Sequence, residues 1–177
     1  MKKHEQRIYL NRLAIVYGNP LKASPLQVME SFFNYAKLAE HATAFDEFCR
    51  AALKEKYCWR RGSPANALYY SGQLELLIEA AYLLYIKPPE HPVHFKKYST
   101  SLSAMNDEYA NSSHFLTHFF SQASLKKWKT WLQAFTHAAI AKGSVADEIK
   151  AVDIYVFVES VKQLLCTAAL IADACNR

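Results

Sequence analysis

At 177 residues the chain is long enough to bury a substantial core, and its four glycines and six prolines are too few for a turn-rich β fold. The formal charge of +5 is scattered, with no run of about five like charges. That excludes a charged tail and makes nucleic acid or anionic lipid an allowed partner that nothing demands. Cys49, Cys58, Cys166 and Cys175 lack close-pair spacing and read as reduced thiols of a soluble, cytoplasmic protein.

Residues 5–17, with Ile8, Leu13, Val16 and Tyr17, predict a short helix ended by Gly18-Asn19-Pro20. The apolar run that starts at Ile8 is broken by Asn11 and Arg12, so the charged Met1-Lys2-Lys3 start is not read as a signal peptide. Ser24-Pro25 supplies an N-cap and a proline at the first helical position for a helix burying Val28, Met29, Phe32 and Phe33. After a break near Leu38 to His41, a second helix turns Phe45, Phe48, Cys49, Ala52 and Leu53 inward. Arg61-Gly62 stops it, and Ser63-Pro64 opens a third helix running to Ile86.

That third helix is apolar nearly all round between Leu68 and Leu84, which places it inside the fold or in an oligomer interface. Its greasiest stretch, Leu74 to Ile86, is too short to span a bilayer and carries Glu75 and Glu79, so no membrane association is expected. The proline-rich segment from Lys87 to Pro92 is the clearest linker. Beyond it, helices are predicted over 112–122, 126–142 and 146–174, with breaks at Ser124 and Gly143.

The chain echoes itself 87 positions on. Phe32-Phe33 falls on Phe119-Phe120, Leu38 on Leu125, Thr43 on Thr130, Phe48 on Phe135, and Ala51-Ala52 on Ala138-Ala139. The window 32–56 shares eight identities in 25 positions with 119–143, where composition alone gives roughly one or two. The later window, 64–86 against 151–173, holds only three. Two amphipathic helices also agree at apolar positions by periodicity, so convergence is the competing reading. The expectation is an all-α single domain over 1–177, a bundle of six to seven helices. It is made of two pseudo-repeated three-helix units, 19–86 and 106–173, around a linker at 87–105.

The combination of F-F-x-x-x-x-L from Phe32 to Leu38 with L-x-L-L-I-E-A-A-Y-L from Leu74 to Leu83 resembles an uncharacterised group of small all-helical bacterial proteins. The likeness covers residues 19–86. It implies a helical fold and no activity, and it assigns no site residue.

Few constellations carry chemistry. His114 and His118 stand four apart on one helix face, the spacing by which two imidazoles share a metal, with His41, His137 or Glu75 as conceivable third ligands. The glutamate of H-E-x-x-H is absent, because Phe115 stands there, and the competing reading is a solvated histidine pair. His91 and His94 in the linker read as an extended, rigid piece. Glu75 and Glu79 share a face of the most apolar helix with Tyr82, and a desolvated carboxylate marks a candidate small-molecule pocket. The plainer reading is a polar stripe meeting Lys or Arg at the surface. Trp59, Arg60 and Arg61 mix aromatic and basic groups as a nucleic-acid contact does, and equally suit a helix end. Lys126-Lys127-Trp128-Lys129 reads as two tryptophan-bearing helix faces, Trp131 included, with the lysines solvated.

No phosphate-binding glycine loop, dinucleotide fingerprint or nucleophile elbow occurs. Nor does any Arg precede a His by the four to six residues that helical HEPN-type endoribonucleases use. The leading expectation is therefore a non-enzymatic module that binds a protein partner or itself, as a homodimer, with no cofactor. A small-molecule or metal-binding bundle is the alternative, and weak nucleic-acid binding the third.

Overall fold

The computed structural model describes residues 9–54, 62–88, 112–141 and 143–175. Among them are seven α-helices and no strand. They are α1 (Asn11–Tyr17), α2 (Pro25–Tyr35), α3 (Leu38–Leu53), α4 (Pro64–Ile86), α5 (Ser112–Gln122), α6 (Leu125–Ile140) and α7 (Ala151–Cys175). Short 3-10 turns occupy Pro20–Lys22 and Val145–Asp147.

Local chemistry sets the ends. Ser24 Oγ accepts from the Gln27 N–H at 3.4 Å and Pro25 takes the first position of α2, while Ser124 Oγ accepts from the Lys127 N–H at 3.3 Å to start α6. The break between α2 and α3 falls at Ala36–Lys37, ahead of the expected place, because Glu40 reaches back to accept the Lys37 N–H at 2.8 Å and closes the first turn there. The last helix starts at Ala151 rather than near 146. Asp147 Oδ2 accepts the Ser144 N–H and Ser144 Oγ accepts the Ala146 N–H, both at 3.2 Å, and these bonds wind the segment into a 3-10 turn. Leu53, expected inside, ends α3 exposed to solvent.

The echo extends to the helix boundaries. Both ends of α2 recur in α5, and both ends of α3 in α6, 87 residues later; Pro64, at the start of α4, corresponds to Ala151, at the start of α7. Only the far end of α7 overruns its counterpart. The positions 87 residues after α1, 98–104, lie outside the described residues.

Packing repeats as well. The central helices α3 and α6 lie against each other; α4 packs on α5 and α6, and α7 on α2 and α3. Each unit's long helix is thus gripped by the first two helices of the other, a pseudo-twofold arrangement. Phe48 and Phe135, mutual counterparts, stack across the centre with ring centroids 6.4 Å apart. Phe48 also meets Tyr70 edge-on at 6.0 Å, and Phe135 meets that tyrosine's counterpart, Phe157, at 4.4 Å. Phe32–Phe33 and Phe119–Phe120 form the same edge-on pair at 5.1 and 5.0 Å. Burying each such ring contributes about 1.5–3 kcal/mol, and the ring geometry adds to it.

As its composition predicts, α4 is buried on most sides. By length and hydropathy α7 also passes as a membrane span, over Ala151–Ala174. In this bundle it packs against α2 and α3, and Phe157, Val161, Leu164, Leu165 and Ala168 are buried.

Candidate functional site: a buried carboxylate–ammonium centre

The α4 helix has an apolar surface that should exclude ions, yet Glu79 sits on it with 0% exposure. A carboxylate so placed must be paired or lose its charge. Its partner is Lys129 of α6, whose Nζ donates to Glu79 Oε1 and to Glu75 Oε1, the latter at 2.9 Å. The ammonium also donates to the Tyr9 carbonyl at 2.9 Å and to Asn11 Oδ1. Four oxygens thus share three N–H groups, and the cation is saturated from inside the protein.

The other side of Glu79 serves α1. That helix begins after Leu10, which has no side chain able to cap it. Its orphan donors are met from 66 and 67 residues away: Glu79 Oε2 accepts the Leu13 N–H at 2.8 Å and Oε1 accepts the Arg12 N–H at 3.2 Å. A negative charge at a helix N-terminus is also favoured by the aligned peptide dipoles. Burial pushes the Glu79 carboxyl above its ordinary value of 4.5; Lys129 and the two backbone amides pull the other way and offset part of the shift. Arg12 lies over Gly72, where a Cβ would collide with the guanidinium, and its Nε has no hydrogen-bond partner among the described residues.

A second polar contact, Ser71 Oγ with Thr136 Oγ1 at 2.5 Å, joins α4 to α6, and Thr136 donates onward to the Leu132 carbonyl at 2.6 Å. The pseudo-equivalent seam between α3 and α7 is chemically different. There Ala42 stands for Lys129, Cys166 for Glu79, Cys49 for Thr136 and Val158 for Ser71. Burial raises both thiols, Cys49 and Cys166. The ion pair at that seam, Lys162 to Asp46 at 3.0 Å, lies toward solvent.

The structure brings Glu75 and Glu79 together, but on Lys129 in the interior and not on a surface cation. The polar-stripe reading fails here because α1 and α6 cover that face of α4. Tyr82 packs edge-on against Phe120 at 5.2 Å and beside Tyr85 at 6.1 Å, and burial raises its phenol. His114 and His118 lie on the exposed side of α5, where His118 Nε2 accepts from Gln122 Nε2 at 2.6 Å. His137 pairs with Glu148 at 3.1 Å on the surface. His41 is buried against Phe32 and donates from Nε2 to the Phe32 carbonyl at 2.9 Å. Among the described residues no three His, Cys, Asp or Glu side chains gather as a metal site requires. Trp59, Arg60, Arg61, His91 and His94 lie outside the described residues.

Lys129 stands in a lysine run that reads as a solvated face; Lys126 and Lys127 are exposed as expected, but Lys129 is buried beside Trp128 and Trp131. The signal that could have found it is spacing: Leu125, Lys129, Leu132, Thr136 and Ala139 form one inward stripe at helical intervals. Asn11, Arg12 and Gly72 carry no comparable local mark.

Comparison with protein-family models, with curated proteins and with solved structures returns no match to this chain.

Proposed function

We propose that the chain is a helical interaction module that acts by associating with a second copy of itself. The observation that supports this reading is the outer surface of α1. Ile15, Val16 and Tyr17 are 72%, 52% and 43% exposed on a seven-residue helix, with Leu21 exposed just beyond it. A helix this short has no stability of its own. The fold commits its buried ion pair to holding that helix in place, and the result is an apolar surface presented to water. A contiguous exposed apolar patch is a mark of an interaction surface.

Sedimentation velocity between about 1 and about 100 µM tests the reading, a range that brackets micromolar affinities. A concentration-dependent dimer is expected, weakened at least tenfold by Ile15→Asp with Val16→Asp. A monomer throughout, or a dimer indifferent to both changes, overturns it.

A further inference from the structure

The connection out of α1 is strained. Gly18 stands at φ 72° and ψ −56°, and the Asn19 N–H bonds back to the Tyr17 carbonyl at 2.8 Å. This is a γ-turn of the rare, positive-φ form, which is conformationally costly even where glycine permits it. It folds α1 back onto its own bundle within two residues. A short hinge under strain favours the arrangement in which it opens.

The seat of α1 has the property such an exchange needs. The bonds that hold the start of α1 run to Glu79 and Lys129, which belong to α4 and α6, and the cleft that receives Arg12 is Gly72 of α4. No residue of the hinge contributes to those bonds. A second copy's α1 therefore remakes each of them without loss, which is why exchanging an identical element is a low-cost route to a dimer.

We propose that two copies of this chain associate by exchanging α1, each α1 taking on the other copy the seat it holds on its own. The γ-turns at both Gly18 positions open, and the exposed Ile15, Val16 and Tyr17 come to lie where the two bundles meet. The inference rests on the self-association reading and adds its mechanism. Opposing it is the entropy of association, which the strain relief and the newly buried apolar side chains must exceed.

Gly18→Ala isolates the strain, because a Cβ there meets nothing within 4 Å and only the backbone conformation is penalised. In an exchanged dimer the penalty falls on the monomer alone. At about tenfold per hinge, the association constant should rise roughly a hundredfold. Inserting three glycines after Gly18 lets α1 fold back without the γ-turn and should lower association at least tenfold. Protection of the Leu13 amide from hydrogen exchange, unchanged in every form, checks that α1 stays seated. Equal association in the wild-type, Gly18→Ala and lengthened chains overturns the exchange while leaving surface self-association intact. A wild-type chain monomeric to about 100 µM overturns both.

Discussion

His41 and Trp128 fill the same place in the two halves of this bundle. His41 lies flat on Phe32, with ring centroids 3.9 Å and planes 17° apart; Trp128 lies flat on Phe119 at 4.1 Å and 12°. The imidazole keeps the stack and adds a bond to the Phe32 carbonyl, at the corner where α2 turns into α3. It is a packing residue with one polar edge.

That placement makes His41 an acid-sensitive element. Burial lowers its pKa from the ordinary 6.5, so the unfolded chain binds a proton more readily than the folded one. The stability it contributes is complete above about pH 6.5 and is lost as pH falls through the folded value. His41→Phe should keep the stack and remove this dependence. Urea midpoints of both proteins from about pH 7.5 to about pH 5 check it; parallel curves would refute it.

Glu79 slopes the other way. Its folded pKa is raised, so the folded state holds a proton where the unfolded chain has released it. Its contribution is largest below about pH 4.5 and is lost as pH rises through the folded value. Glu79→Gln should flatten that part of the pH–stability curve. An unchanged slope in the glutamine variant would assign it to another group.

Removing one member of the buried pair should cost more than removing both. Glu79→Ala leaves the Lys129 ammonium inside the protein and α1 without its cap, an expected loss of about 3–5 kcal/mol. Combining it with Lys129→Met should recover part of that loss, with a coupling energy above about 1 kcal/mol in denaturant titrations. Strict additivity would mean that the two charges are independently solvated.

At Gly72 the outcome depends on the size of the substituent. An added Cβ meets the far end of Arg12, a flexible side chain. Gly72→Ala should therefore change stability by less than about 1 kcal/mol, since the gain in helix propensity offsets the displaced guanidinium. Gly72→Leu should cost about 2 kcal/mol or more and release α1, read as lost protection of the Arg12 and Leu13 amides.

Phe48 and Phe135 are counterparts 87 residues apart, both fully buried and stacked on each other, so each change to Ala should cost a similar amount, about 3–5 kcal/mol. The double variant should fall short of the sum, because the two rings share one contact. Thermal or urea unfolding reads both effects.

Much of the fold was legible because its signals are local. Ser24-Pro25 and Ser63-Pro64 mark helix starts, apolar residues recur at helical spacing, and Phe32-Phe33 returns as Phe119-Phe120. Glu79 could be singled out as an anomaly on an apolar helix, but its role could not be read. Its partners stand 50, 66 and 67 residues away, on elements whose approach only packing defines. Lys129 was obscured for a related reason. In a sequence it is one more lysine among lysines, and its charge says nothing about which face of α6 it takes. The start of α1 posed the same difficulty, since Leu10 offers no cap and the missing acceptor is supplied by another helix.

The difference between the two seams has a consequence for assembly. Two halves built on the same helix pattern offer a second way to pair, like half with like half. Such a pairing would set Glu79 against Ala42, the first-half counterpart of Lys129. Two second halves would set Lys129 against Cys166, the counterpart of Glu79. Either mismatch strands an uncompensated ion in the interior, at a cost of several kcal/mol. The buried pair thereby favours the combination of first half with second.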